Sequence, residues 1–197
     1  MENKETRCFE FRFDAESRQI TGHGAVFNTE TKIWDNFYET IDPGFFDDVL
    51  GDDVRALFNH NSNLVLGRTK SGTLQLSVDE KGLKYVIPEM PNTTTGNDLL
   101  ELISRGDISQ SSFSFSVKED KWEKRGDGSE LRTLLKCQKL YDVAPVTFPA
   151  YPTADVAKRS HDDFEKTQQE ADHKESIHDD LAINYRVRTI KLNNLKH

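Results

Sequence analysis

The chain has 197 residues, with 26 Lys+Arg against 34 Asp+Glu and a formal net charge of −8. Length predicts one domain plus an appendage, and the missing basic surplus argues against a nucleic-acid partner. Twelve Phe are too many for a wholly disordered chain. No apolar run of about 18 residues is present to span a membrane, and the N-terminal MENKETRCFEF lacks the apolar stretch of an export signal, so the expectation is a protein that is not secreted.

Alternation of apolar and polar residues dominates from Cys8 to about Tyr151. CFEFRF places Phe9, Phe11 and Phe13 on one strand face, and Ile20 to Phe27 and Ile33 to Ile41 read as two further strands. Asp42-Pro43 predicts a short helix, with Asp as cap, Pro at the first position and Phe45, Phe46, Val49 and Leu50 as its apolar stripe. Val54 to Phe58 and Leu64 to Leu66 read as strands around an NHNSN turn, and TLQLSV and LKYVIP flank DEKG as a hairpin. LLELISR is a second helix, closed by Gly106; ISQSSFSFSV is a strand, WEK and LRTLLK flank the turn RGDGSE, and LYDVAPVTF is the last strand. Many strands with two helices predict a mainly β fold, a barrel or sandwich with flanking helices.

Residues 1–155 are expected to form the β domain and 156–197 a polar C-terminal tail, helical or disordered. That tail has no Gly and no Pro, its SHDDFEKTQQEADHKESIHDD is highly polar, and LAINYRVRTIKLNNL beyond it could dock or pair as a strand in trans. Cys8 and Cys137 are the only cysteines; two distant thiols read as reduced and exclude a zinc site of the CxxC type. The six histidines have no regular ligand spacing, so no metal and no cofactor is expected. TTTGND, with one Gly, is not a phosphate loop.

Three segments could carry chemistry. In SQSSFSFSV, Phe113, Phe115 and Val117 share one face, and Ser112, Ser114 and Ser116 the other; alone, this is an ordinary half-exposed strand. His60, in FNHN, reads alone as a surface-turn histidine, and His23 in GHGAVF likewise. Asp142 sits in an apolar strand, where a carboxylate needs a partner: a backbone amide, an Arg or an imidazole.

In order and spacing, GHGAVFN, ETIDPGFFDDVL, DVRALFNHNSNLVLGRT, LKYVIPEMPNTTTGNDLLELISRGDISQSSFSFSV and LYDVAPVTFPAYPTAD resemble the prohead (capsid maturation) proteases of tailed bacteriophages over about residues 20 to 155. That family is similar in fold to herpesvirus assemblin, a β-barrel serine protease ringed by helices. The resemblance implies a serine endopeptidase with Ser112, the serine before Phe-x-Phe, as nucleophile and His60 as base. Asp142, before VAPVTFPAYP, is the expected third member, where many relatives carry Glu; Ser114 stands where Gly is common. Ser109 and Ser111 are the competing nucleophiles. Ser111 shares the inward face of Phe113 and Phe115, whereas Ser112 faces away, provided that no bulge interrupts the alternation. By analogy with assemblin, the oxyanion donors are expected near Ala150 and Tyr151.

The resemblance further implies an enzyme packaged in the immature capsid within the host cytoplasm. It would cleave the scaffolding part of the major capsid protein and then itself. Homodimerisation is implied by assemblin-like relatives. The tail would serve targeting or self-cleavage. The alternative is a non-catalytic capsid-assembly scaffold on the same fold, and a weaker one a metal-dependent hydrolase.

Overall fold

The computed structural model describes residues 5–14, 17–148 and 166. The chain divides into two units, Met1–Val156 and Ala157–His197. The predicted tail, apart from Lys166, lies outside the described residues.

The first unit is mainly β. Its strands are β1 (Glu5–Asp14), β2 (Gln19–Val26), β3 (Thr31–Trp34), β4 (Phe37–Ile41), β5 (Arg55–Leu57), β6 (Val65–Arg68), β7 (Gln75–Val78) and β8 (Gly82–Ile87), then the helix α1 (Thr94–Ser104), β9 (Gln110–Lys124) and β10 (Glu130–Val146). They join one ten-stranded sheet in the order β3-β4-β10-β9-β1-β2-β8-β7, with β5 and β6 branching from β10. The two edges of β10 are used differently. One runs antiparallel to β9 along nearly its whole length. The other takes β4 in parallel at Glu130–Leu134 and β5 in parallel at Asp142–Val143.

One apolar core serves all these layers. Ile20, Ala25, Leu83, Tyr85 and Ile87 from β2 and β8 join Phe113, Phe115, Leu140 and Val143 from β9 and β10. A Cβ built on Gly24 would touch Val143 and Phe113, so β2 faces β9 and β10 across the core although β1 separates them in the hydrogen-bonded order. Phe113 and Phe115 stack with centroids 4.6 Å apart and meet Phe46 and Phe45 edge-on, the offset and T-shaped contacts aromatic rings favour. The sheet requires Gly82 at one close approach: a Cβ there would lie 1.9 Å from the Ala25 carbonyl oxygen.

Several local expectations are met. The DEKG hairpin forms between β7 and β8, with Asp79 Oδ1 accepting from the backbone N–H of Lys81 and Gly82. α1 starts where Thr93 accepts from the Gly96 N–H, a side-chain cap on an otherwise orphaned donor, and Gly106 follows it at φ 82°.

Two expectations are corrected. The predicted helix after Asp42 is a series of turns, with hydrogen bonds from Phe45, Asp47, Val49 and Asp52 N–H to the carbonyls three residues earlier. Asp42 caps as expected, accepting from Gly44 N–H. Phe45, Phe46 and Val49 are all buried, as the predicted stripe requires, but the backbone is tied to β10: Asp42 N–H donates to the Leu134 carbonyl and Cys137 N–H to the Phe45 carbonyl, which takes that acceptor out of an i→i+4 ladder. The predicted strand Ile33 to Ile41 is a hairpin, β3 and β4, broken at Asp35-Asn36, residues that favour turns over ladders.

The far end of the β9–β10 hairpin is fastened by a buried cation. Arg132 donates to Asp120 at 2.7 Å and to Glu39 on β4 at 3.3 Å, with its guanidinium over Trp122. Charges this buried persist only when paired and hydrogen-bonded.

Candidate active site

β9 supplies a buried polar face. Ser111, Ser112 and Ser114 are fully buried and Ser116 nearly so, which corrects the half-exposed strand expected from alternation. The alternation itself holds. Ser111 turns to the β2 side, donating to the His23 carbonyl at 3.0 Å. Ser112 and Ser114 point to the opposite face from Phe113 and Phe115. Ser109 is exposed and precedes the strand.

β10 brings Asp142 to that serine face through an irregularity. Leu140 pairs with Phe115, yet Asp142 pairs with Ser114, because the register shifts between them. Unbroken pairing would have set Asp142 opposite Phe113, on the apolar face. The extra residue, Tyr141, lets Leu140 and Val143 both enter the core while Asp142 leaves it. Re-aiming a side chain in this way is what a β-bulge does.

His60 arrives on the turn between β5 and β6. Asn59 and His60 both have positive φ, 52° and 56°, and Asn61 N–H donates to the Phe58 carbonyl. This is the pattern of a type I′ turn. Asn and His tolerate the left-handed region better than most residues, and strained backbone of this kind persists where surroundings over-determine it. Those surroundings are at the end of β10. Asn59 N–H donates to the Pro145 carbonyl at 3.0 Å, Thr147 N–H donates to Asn59 Oδ1 at 2.8 Å and Asn59 Nδ2 donates to Thr147 Oγ1 at 3.1 Å.

The turn therefore lays the imidazole against β9 and β10. His60 Nδ1 bonds Asp142 Oδ1. Ser114 Oγ lies 3.0 Å from the same Nδ1 and 3.4 Å from Asp142 Oδ1. His60 Nε2 and Ser112 Oγ are both buried without a hydrogen-bond partner. Ser112 pairs with Ala144, one side-chain repeat along β10 from Asp142 and next to the Pro145 that anchors the His60 turn.

Of the residues singled out from sequence, His60 and Asp142 thus meet directly. Ser112 shares the face of the site without a hydrogen bond to His60. Ser111 and Ser109 lie elsewhere. Ala150 and Tyr151 lie outside the described residues. Sequence reasoning undervalued Ser114, whose contact with His60 follows from the same alternation that turns Ser112 away from Phe113 and Phe115. His23 also finds a carboxylate, with Nε2 2.9 Å from Asp79 Oδ2, but Asp79 belongs to the β7–β8 turn. Among the described residues no cluster of three His, Cys, Asp or Glu could hold a metal ion, and no helix is long and apolar enough to cross a membrane.

A histidine oriented by a buried carboxylate beside the Ser112 and Ser114 hydroxyls is equipped for nucleophilic acyl transfer. No curated protein and no solved structure matches the chain. A family model described as caudovirus prohead serine protease matches residues 5–170. The chain belongs to the caudovirus prohead serine proteases, serine peptidases of phage capsid maturation that act inside the procapsid.

Proposed function

We propose that this chain cleaves the scaffolding part of its phage's major capsid protein, and then itself, with Ser112 as nucleophile, His60 as base and Asp142 as the orienting acid. The observation that carries the assignment is the division of labour on the imidazole. Nδ1 is engaged by Asp142, so the base must be Nε2, and Nε2 and Ser112 Oγ are the two buried polar atoms of the site left without partners. Catalytic hydrogen bonds are often loose without substrate and tighten in the complex.

In the reaction, Ser112 Oγ attacks the scissile carbonyl while His60 Nε2 takes its proton. The imidazolium so formed is held by Asp142. The proton then passes to the leaving amine, and water repeats the sequence on the acyl-enzyme. A serine hydroxyl is too weak a nucleophile near neutral pH without such a base. The developing oxyanion needs backbone donors, assigned by resemblance to the N–H groups of Ala150 and Tyr151. Confinement in the procapsid raises the effective substrate concentration, so modest affinity suffices. The segment 156–197 is assigned to targeting or self-cleavage, with homodimerisation as a further part of the reading.

One observation favours a second assignment. Ser114 Oγ is the hydroxyl within hydrogen-bonding distance of His60, which makes Ser114 the rival nucleophile. Against it, the nitrogen it faces is the one Asp142 already engages.

Co-expression with the phage's major capsid protein tests the reading. Wild type should yield mature-length capsid protein, and Ser112→Ala should assemble shells of uncut precursor. Cleavage by Ser112→Ala at the wild-type rate would reject Ser112; normal maturation with neither serine present would favour the non-catalytic scaffold.

A further inference from the structure

We infer that Ser114 is a positioning residue for the His60–Asp142 pair: its hydroxyl holds the imidazole in the tautomer protonated at Nδ1, which leaves Nε2 as the base. The inference rests on the roles assigned above to His60 and Asp142.

Three polar atoms, Ser114 Oγ, His60 Nδ1 and Asp142 Oδ1, form a closed triangle. An ionised carboxylate only accepts hydrogen bonds. Nδ1 facing it must therefore carry a proton, since a bare nitrogen lone pair would repel the carboxylate oxygen. A protonated Nδ1 cannot accept, so the Ser114 O–H points at Asp142 Oδ1 and the Ser114 oxygen shares the Nδ1 proton. The opposite tautomer would leave Asp142 facing a lone pair and place the ring proton on Nε2, where it could not receive a proton from a nucleophile.

The geometry gives this hydroxyl little freedom. Ser114 is fully buried, and its place opposite Asp142 is set by backbone pairing of β9 with β10 rather than by the loop that carries His60. A donor fixed on the sheet thus locates a ring delivered by a strained turn. Asp142 is itself 2% exposed, and a buried carboxylate needs every donor it can find.

The test uses the full chain and a fluorophosphonate probe, which needs no knowledge of the natural substrate. In the labelling step, serine Oγ bonds to phosphorus, fluoride leaves and the hydroxyl proton goes to His60. Labelling rates would be followed against pH for wild type, Ser112→Ala, Ser114→Ala and Ser114→Thr, with the labelled peptide identified by mass spectrometry. Ser114→Ala should still label at Ser112, roughly 10- to 10²-fold more slowly. The acid limb of its pH profile should shift, because Ser114 contacts both the ring nitrogen and the carboxylate that hold the imidazolium. Its downfield Nδ1–H proton resonance should shift or broaden. Ser114→Thr, which keeps the hydroxyl, should restore most of the rate. Unchanged rate, profile and resonance in Ser114→Ala, with the label on Ser112, would overturn this inference and leave the nucleophile assignment standing. Label on Ser114, with Ser112→Ala reacting at the wild-type rate, would overturn both. Should Ser114→Ala fail to fold, Ser114→Gly is read by the same criteria.

Discussion

Asn59 and Thr147, far apart in sequence, hold each other by two reciprocal hydrogen bonds: Thr147 N–H donates to Asn59 Oδ1 at 2.8 Å, and Asn59 Nδ2 donates to Thr147 Oγ1 at 3.1 Å. Together with Asn59 N–H on the Pro145 carbonyl, they fasten the turn bearing His60 to the end of β10. Asn59→Gly removes the suture but keeps the positive φ, whereas Asn59→Ala removes the suture and adds backbone strain. Both should lose about 10-fold or more in peptide cleavage as His60 drifts. Only Asn59→Ala should lose a further ~1 kcal/mol in urea unfolding. Equal stability losses in the two variants would show that the left-handed turn is not costly at this position.

Asp142 is buried against His60, with Ser114 as its cross-strand neighbour. Asp142→Asn keeps the shape but presents an amide that does not fix the imidazole tautomer. Cleavage should fall by about 10⁴-fold, the typical effect of that change in a serine triad, with circular dichroism unaltered. Asp142→Glu, which keeps a carboxylate, should retain far more activity than Asp142→Asn. The reverse ranking would remove Asp142 from the orienting role.

Burial among apolar neighbours pushes the Cys137 thiol up to about 12. The thiolate is the reactive form, so native Cys137 should resist alkylation at pH 8. In a Cys8→Ser background, iodoacetamide should modify the protein only as fast as it unfolds. Stoichiometric modification of the folded protein within minutes would contradict the burial.

Asp53 hydrogen-bonds Arg68, which lowers its carboxyl from the usual 3.8 to about 2. A lowered folded-state value means that the pair stabilises the fold above the unfolded value. That contribution is lost as pH falls from about 4 through about 2. The pair is exposed and screened by salt, so the effect is small. Asp53→Asn should flatten the stability–pH curve in that window and lie slightly below wild type above it, neutrality included; a slope identical to wild type below pH 4 would show that the pair contributes nothing.

Strand alternation, the DEKG hairpin, the helix through LLELISR and the opposed Ser and Phe faces of β9 were legible because each depends on neighbours within a few residues. The order of five segments also pointed to the family. The chain could not reveal that β10 carries an extra residue at Tyr141, since a bulge is a relation between two strands and not a property of one. That single register shift moves Asp142 from the apolar face to the serine face. Nor did composition disclose that the serines are buried, because burial depends on what packs over them. The helix expected after Asp42 became turns whose backbone is hydrogen-bonded to β10 at Asp42 and Phe45, and tertiary context outweighs local preference. Residue types and their two-residue rhythm thus determined which chemistry was on offer. Which hydroxyl stands beside the His60 imidazole was decided by long-range pairing, because a hydrogen bond needs ångström-scale placement that only the assembled sheet provides.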